Sequence, residues 1–229
     1  METTFSKDRI TGLKYIAFFD LDSTLTDVIS GKALAACAYR KGLMKSSDLV
    51  TAIYLLLLYR LNLRDPLKII DDMVSRVKGI PEQAMNDLCS EVFLKVLLPS
   101  VFREAKTEIK QHKENGAKVV ILSSGLEQIC REMAKSIEMD DIICSVLEVR
   151  DGYFTGRPLG RLCFGKEKVI RLIEYCKHNN VNPRYSWYYG DSFSDLPVLD
   201  YVGNPVCVNP DKKLKKAAHN RGWKVLYWH

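Results

Sequence analysis

Several short apolar runs in this chain stop at an acidic or hydroxyl residue, and this pattern restricts the fold more than any other feature. Short apolar runs bounded by polar residues are typical of buried strands in a parallel sheet. Parallel strands present their carboxyl ends at one edge of the sheet, where ligands bind. The runs and the residues after them are 15–19 with Asp20, 118–122 with Ser123, and 185–189 with Asp191.

Helical patterns alternate with strand patterns in the second half of the chain. Such an alternation predicts an α/β fold, with a mostly parallel sheet and helices on both faces. Asp151 and Gly152 are predicted to form a tight turn. Further predicted helices are 101–113, 126–137 and 168–178, and further predicted strands are 142–149, 205–208 and 224–227.

Residues 30–98 contain no convincing strand. Their apolar side chains recur at helical spacing, and helices are predicted over 69–77 and 84–97. We interpret this segment as a helical cap domain inserted into a core made of residues 1–29 and 99–229. A chain of 229 residues is long enough for a core domain and one smaller insertion.

The first strand delivers two carboxylates, Asp20 and Asp22, at a spacing that lets both face one pocket. One carboxylate can attack phosphorus while the other donates a proton to the leaving group and later accepts one from water. Asp191 and Asp195 add acidic groups at the same predicted edge. Hard oxygen ligands beside a phosphate group favour Mg²⁺, so we expect a Mg²⁺ site there.

Two other places in the sequence suit an anionic group. Ser123 and Ser124 precede a predicted helix, where a hydroxyl and free backbone N–H groups can bind phosphate oxygens. Lys168 precedes the strand that leads to Asp191 and can supply the positive charge that a phosphoryl group needs in its transition state. These residues complete a predicted phosphate-binding site.

The order of these positions resembles that of a known family. Residues 18–26, 120–125 and 189–197, together with Lys168, are similar to the four motifs of the haloacid dehalogenase-like superfamily, and the resemblance covers nearly the whole chain. It implies a Rossmann-like three-layer core with an inserted α-helical cap. It also implies a hydrolase that works through a covalent intermediate on its first aspartate.

The resemblance implies a role for each acidic residue. Asp20 would be the nucleophile and a Mg²⁺ ligand. Asp22 would be the general acid and base, and its backbone carbonyl would also bind the metal. Asp191 would complete the metal ligands that the protein provides, and Asp195 would support the metal site from close by.

The same resemblance assigns the phosphate-binding residues. Ser123 and the Ser124 amide would hold phosphoryl oxygens, and Lys168 would neutralise charge on the nucleophile and the phosphate. Lys166 is an alternative for this lysine. Lys168 fits better the pattern of a lysine followed four residues later by a leucine, here Leu172.

Asp22 also favours a phosphatase over a dehalogenase, because a leaving alkoxide needs a proton and a halide does not. The Asp-x-Asp-Ser-Thr form with a helical cap is most similar to subfamily IB, the phosphoserine phosphatase-like group. The implied substrate is a small phosphorylated metabolite such as phosphoserine. The serine-binding glutamate and arginine of that group fall at Ile29 and near Met73 here, with Arg76 and Arg64 close by.

Residues 52–61 form an apolar segment that packs within the cap, binds a partner or meets a membrane surface. Subfamily IB includes enzymes that act on phospholipid head groups. A lipid-phosphate phosphatase with peripheral membrane contact is therefore an alternative hypothesis. A catalytically silent binding protein is a third hypothesis, which the complete set of chemical positions disfavours.

Composition narrows the partners. A net charge of +6 suits an anionic substrate. The sequence contains no recognisable base-stacking platform, so nucleic-acid binding is not expected. Seven scattered cysteines without a CxxC pair predict reduced thiols in a cytoplasmic protein. No signal peptide and no transmembrane segment are expected, because the longest apolar run is far shorter than the ~20 residues that span a bilayer. The oligomeric state is not predicted.

Overall fold

One parallel sheet of six strands organises the part of the chain that the structure describes, which comprises residues 13–44, 46–47, 50–51, 54 and 66–229 of a computed structural model. The strand order is β3-β2-β1-β6-β7-β8, and every pairing within this sheet is parallel. The predicted α/β fold is confirmed. The strands are β1 Ile16–Phe19, β2 Lys118–Leu126, β3 Asp141–Ser145, β6 Trp187–Gly190, β7 Asn204–Val208 and β8 Lys224–Leu226.

The strands alternate their side chains between two separate hydrophobic cores. Ala17 and Phe19 of β1 contribute to one core, whereas Ile16 and Phe18 contribute to the other. All four side chains are fully buried, and Phe19 stacks on Tyr189 of β6 with ring centroids 4.3 Å apart. A strand buried on both faces needs apolar residues at every position, which explains the continuous apolar run.

Helices cover both faces of the sheet. The predicted helix 84–97 continues beyond its α-helical part as a π-helical turn, Phe93–Leu97, and a short 3₁₀ turn, Leu98–Ser100. The other predicted helices are confirmed with ends shifted by a few residues. The helices are α1 Ser30–Arg40, α2 Pro66–Ser75, α3 Glu82–Val92, α4 Arg103–Glu114, α5 Glu127–Ser136, α6 Lys166–His178, α7 Leu196–Leu199 and α8 Lys212–Arg221.

A β-hairpin stands apart from the main sheet. The predicted strand 142–149 is wrong as one element: it divides into β3 and a short strand β4, Leu147–Arg150, which pairs antiparallel with β5, Tyr153–Pro158. Asp151 and Gly152 form the turn with positive φ values, as their sequence predicts. The glycine and proline within β5 conceal its strand pattern, because both residues are disfavoured in strands.

The hairpin holds the connection between α2 and α3. Gly79 N donates a hydrogen bond to Phe154 O at 2.8 Å, and Phe154 N donates to Ile80 O at 3.0 Å. Glu82 N donates to Gly152 O at 2.9 Å. The connection between α2 and α3 is therefore tied to the hairpin by main-chain hydrogen bonds.

Two segments for which the sequence makes predictions lie wholly or mostly outside the described residues. The apolar segment 52–61 lies outside the described residues except for Tyr54, and residues 1–12 also lie outside them. No helix among the described residues has the length and apolar character needed to cross a membrane. All seven cysteines are buried and free, in agreement with the predicted reduced thiols.

Candidate active site

Asp20 lies one residue beyond β1, at the carboxyl edge of the sheet. Its backbone N donates to Tyr189 O at 2.9 Å, which extends the pairing of β1 with β6 to this residue. The carboxylate is buried, and Oδ1 accepts a hydrogen bond from Leu21 N at 2.8 Å. Burial raises the pKa of Asp20, and the nearby charge of Lys168 opposes that rise.

Lys168, in the first turn of α6, is the buried positive charge of the site. Its Nζ lies 3.1 Å from Asp20 Oδ2, 2.8 Å from Asp195 Oδ1 and 3.0 Å from the Tyr188 hydroxyl. Burial alone would lower the pKa of Lys168, but the two carboxylates outweigh it, so the pKa stands well above its usual range. Lys166, the alternative lysine, is exposed at the start of the same helix.

Asp195 is fully buried, and both of its carboxylate oxygens carry hydrogen bonds. Oδ1 accepts from Lys168 Nζ and from the Tyr188 hydroxyl at 2.7 Å, and Oδ2 accepts from Ser192 Oγ at 3.1 Å and Ser192 N at 3.3 Å. Burial would raise the pKa of Asp195, but Lys168 reverses this effect and the pKa is lowered. Asp195 therefore holds Lys168 in position.

Gly190 allows this close arrangement. A Cβ at this position would lie 2.8 Å from Tyr188 Cε1 and 3.0 Å from Asp195 Oδ2. Both distances are shorter than van der Waals contacts between such atoms, so any larger residue would displace the ring or the carboxylate. The glycine before Asp191 is thus a packing requirement of the ion-pair network.

Asp191 follows β6 and completes an acidic cluster. One carboxylate oxygen from each of Asp20, Asp191 and Asp195 can be chosen so that all three lie within 4.8 Å of one another. Burial, followed by the charges of Asp195 and Asp20, raises the pKa of Asp191 well above its usual range. The hydrogen bond to its Oδ1 is a long one of 3.5 Å from Thr24 Oγ1. Such oxygen donors suit a hard divalent cation.

Asp22 is directed toward the beginning of α1. Its Oδ1 accepts from Ser30 N at 2.8 Å, and its Oδ2 accepts from Ser30 Oγ at 3.0 Å. Burial raises the pKa of Asp22 to about 6; the Asp20 charge adds to this rise, and the Ser30 hydrogen bonds oppose it. A carboxyl group with this pKa exchanges a proton near neutral pH.

Ser123 and Ser124 lie on the strand next to β1. Ile121 is in register with Phe19, so Ser123 stands two residues farther along, at the same edge as Asp20. Ser123 is buried and its Oγ accepts from Gly125 N at 3.1 Å. Helix α5 begins at Glu127, one residue after the predicted start, because the extended backbone continues to Leu126. The β2–β3 register shifts between Leu122 and Leu126, the stretch that contains both serines.

Four residues of the site were not found from the sequence. Ser30, Tyr188 and Ser192 hydrogen-bond to Asp22 or Asp195, and Thr24 contacts Asp191. Ser192 has a sequence signal, since Ser192 and Asp195 have the spacing of a capping box and form one. Ser30 and Tyr188 contact their partners only through the tertiary fold.

The expected serine-binding positions have a different character. Ile29 is half-buried directly before Ser30, Met73 is half-buried in α2, and Arg76 is exposed just after α2. Arg64 lies outside the described residues. The positions that the sequence resemblance assigns to the charged serine-binding residues thus carry apolar side chains here, and that assignment stays a prediction.

The chain belongs to the haloacid dehalogenase-like hydrolases: residues 17–200, which include every site residue named above, match the profile of that family. The family assignment makes the protein an enzyme of the hydrolase class. Together with the parallel sheet and the acidic edge, it confirms the resemblance found in the sequence.

Several of its relatives carry phosphatase names. A probable phosphatase of Mycobacterium tuberculosis is 29% identical over 218 residues, which cover 92% of this chain and 74% of that protein. A histidinol-phosphatase of Neisseria meningitidis is 28% identical over 93% of this chain and 99% of that protein. A solved structure described as a phospho-aspartyl intermediate analogue of phosphoserine phosphatase superposes with a TM-score of 0.72 and 19% identity, covering 94% of this chain and 93% of the other.

Proposed function

We propose that this protein is a Mg²⁺-dependent phosphomonoester hydrolase in which Asp20 forms an aspartyl phosphate. The observation that carries the proposal is the buried ion pair of Lys168 with both Asp20 and Asp195, at the strand edge that also carries Asp191. A carboxylate next to a fixed cation can approach an anionic phosphate, because the lysine reduces the repulsion between them.

The proposed reaction has two steps. An Asp20 carboxylate oxygen attacks phosphorus, the bond from phosphorus to the leaving oxygen breaks, and Asp22 donates its proton to that oxygen. Asp22 then accepts a proton from water, whose oxygen attacks the aspartyl phosphate and releases inorganic phosphate and the free Asp20 carboxylate. The pKa of Asp22, about 6, supports both of its roles near neutral pH.

Ser123, Ser124 and Lys168 are proposed to bind the phosphoryl group. The Ser123 hydroxyl and the Ser124 amide would donate to phosphoryl oxygens, and Lys168 would balance the charge that develops there. Two observations support this assignment: Ser123 lies at the same sheet edge as Asp20, and Lys168 is fixed by Asp195.

The donor set fits Mg²⁺. The carboxylates of Asp20 and Asp191 and the backbone carbonyl of Asp22 would hold the ion, leaving the remaining positions to water and phosphate. When bound, Mg²⁺ would supply positive charge to the phosphoryl oxygens. Asp195 is proposed to act on the metal site only through Lys168, because its oxygens are already hydrogen-bonded.

The proposed substrate is a small phosphorylated metabolite in a cytoplasmic setting. The names of the relatives support phosphoserine and histidinol phosphate as first compounds to test. We also propose that residues 30–98 form a cap domain over the core, which is supported by the helices α1, α2 and α3 in that segment.

Phosphate release from a panel of monoesters tests the proposal. The panel contains phosphoserine, histidinol phosphate, sugar phosphates, nucleotides and a lipid phosphate in vesicles, each with Mg²⁺ and with EDTA. We expect metal-dependent release from at least one metabolite, and none from the Asp20→Asn protein. Release that persists in EDTA or in the Asp20→Asn protein would contradict the mechanism, and exclusive release from vesicles would favour the lipid alternative.

A further inference from the structure

A cavity of about 1270 Å³ opens beside Asp191. Its walls are the loop before α6, the loop after β6 and the beginning of α8, with Asp71 of α2 also at its boundary. Asp191 lines the cavity, which connects it to the candidate active site. The volume exceeds the ~300–1,000 Å³ of most small-ligand pockets, so a phosphate and a three-carbon leaving group would occupy only part of it.

One part of the cavity lining is apolar. Phe193, two residues after Asp191, exposes 44% of its surface, and Ile170 of α6 exposes 43%. Leu196 and Pro197 complete the apolar wall. An exposed aromatic ring next to a metal-binding aspartate gives an aliphatic or aromatic leaving group a surface on which to pack.

Another part of the cavity lining is basic. Lys166, Lys212 and Lys213 line it, are exposed, and form no ion pair with any described residue. The Nζ of Lys213 lies 5.9 Å from the centre of the Phe193 ring. These three cations therefore border the apolar wall with their charge available to a ligand.

Most acidic groups of the cavity are already engaged. Asp211 accepts hydrogen bonds from the backbone N of Phe193, Lys213 and Leu214, each at 2.8 Å. Glu167 lies 3.4 Å from Arg171 and 3.9 Å from Arg161. Beyond the Asp191 cluster this leaves Asp71 of α2 and three lysines that form no ion pair with a described residue.

The basic wall is fixed relative to the active site. Asp211 N donates to Asp191 O at 2.8 Å, and the Asp211 carboxylate holds Phe193 N. Two residues span at most about 7 Å of chain, so Phe193 lies within that distance of Asp191. Lys212 and Lys213 follow Asp211 directly, so the beginning of α8 lies next to the backbone of Asp191.

We propose that this cavity is a leaving-group site, and that the enzyme prefers phosphomonoesters whose leaving group has an apolar body ending in a second anionic group. The inference rests on the proposed phosphatase activity and adds the substrate class. The phosphoryl group would be bound at Asp20, the apolar body would lie against Phe193 and Ile170, and the distal anion would pair with Lys212 and Lys213.

Three synthetic probes test this preference. Hexyl phosphate, 6-carboxyhexyl phosphate and 6-aminohexyl phosphate have nearly equal leaving-oxygen basicity, since the added group is remote from the ester. They differ in the charge at the end of the chain, which is zero, negative or positive. We expect kcat/KM to be highest for the carboxyl probe and lowest for the amino probe, with a ratio between these two of about tenfold at low salt.

Variants of α8 locate the effect. In the Lys212→Gln/Lys213→Gln protein the ratio of kcat/KM for the carboxyl and amino probes should fall toward one, and in Lys212→Glu/Lys213→Glu it should invert. The matched control is Lys215→Gln/Lys216→Gln, which removes the same charge from the same helix at positions that do not line the cavity. The control should keep the wild-type ratio.

The outcomes separate this inference from the function on which it rests. If all three probes are hydrolysed with equal kcat/KM, or the amino probe is preferred, the leaving-group site is refuted and the phosphatase proposal stands. A ratio that the Lys212/Lys213 variants leave unchanged also refutes it. If no phosphomonoester of any kind is hydrolysed, the phosphatase proposal itself fails.

Discussion

Lys168 stands between two buried carboxylates, and the site depends on it in two ways. Lys168→Met would leave Asp20 and Asp195 buried without their cation. We expect the free energy of unfolding to fall by about 3–5 kcal/mol and kcat to fall at least about a hundredfold. Urea unfolding and phosphate release measure the two effects.

Lys166→Met is the control for that prediction. Lys166 lies two residues away on the same helix but is exposed, so its replacement should change the free energy of unfolding by no more than about 0.5 kcal/mol. Equal stability of the two variants would mean that the ion pairs of Lys168 contribute nothing.

Ser30 is a positioning residue for Asp22. Ser30→Ala removes the donor to Asp22 Oδ2 but keeps the backbone donor to Oδ1. A hydrogen bond to a charged group contributes about 1.5–3 kcal/mol, so kcat should fall roughly tenfold to a hundredfold with little change in KM. Ser30→Thr retains the hydroxyl and should restore kcat. A loss confined to KM would contradict this role.

At the scale of elements, Gly156 lies where β5 packs closely on the end of α2. It has a φ of +78°, and a Cβ there would lie 2.9 Å from Ser75 O and from Lys78 Cβ. Gly152 in the same hairpin has a φ of +79° with no atom within 4 Å of its Cβ position. Alanine variants of these two glycines therefore separate the cost of backbone strain from the cost of a steric clash.

Gly152→Ala should therefore cost about 1–2 kcal/mol, the strain of a left-handed alanine. Gly156→Ala should cost a further ~1–3 kcal/mol, because the backbone of α2 must move. Thermal unfolding of both variants checks this. An equal loss in the two variants would mean that the hairpin and the helix do not pack as closely as described.

His112 of α4 links the helix to the sheet and should make stability pH-dependent. Its Nδ1 lies 3.0 Å from the Tyr15 hydroxyl and its Nε2 lies 2.9 Å from the Tyr189 hydroxyl. Burial lowers the pKa of His112 in the folded protein. The stability that His112 contributes is thus fully present above the unfolded pKa of about 6.5, and it is lost as the pH falls through the lower folded pKa.

The measurement compares the pH dependence of the free energy of unfolding in the wild type and in His112→Gln. Between pH 7 and pH 5, His112→Gln should lose less free energy of unfolding than the wild type, because glutamine does not titrate. His178→Gln, at an exposed position, is the control and should follow the wild type. Parallel pH profiles for His112→Gln and the wild type would rule out His112 as the titrating group.

On the scale of the whole molecule, the sequence predicted the features that depend on local pattern. The continuous apolar runs predicted the central strands. The polar residues that follow these runs predicted that Asp20, Ser123 and Asp191 lie at one edge of the sheet. The preference for Lys168 over Lys166 agrees with the geometry, because Lys168 is the one that contacts Asp20. The five helices predicted with bounds lie within a few residues of α2 to α6.

Features that depend on contacts between distant residues were not predictable in the same way. Ser30 contacts Asp22 only because the fold places the first residue of α1 beside that carboxylate. The Tyr188 hydroxyl on β6 contacts Asp195 only because the fold brings together two residues that are seven positions apart in the chain. The hairpin was missed because β5 contains Gly156 and Pro158, and because the strand pattern of 142–149 continues through Val146, where β3 and β4 divide.

The most direct test of the account is to identify the residue that carries phosphate during turnover. The enzyme is mixed with Mg²⁺ and the best monoester of the panel, quenched in acid within milliseconds, and digested for mass spectrometry, with Asp20→Asn as the control. One phosphoryl group is expected on the peptide that contains Asp20 and none on the corresponding peptide of the control. Phosphate on another residue, or turnover by the Asp20→Asn protein, would contradict it.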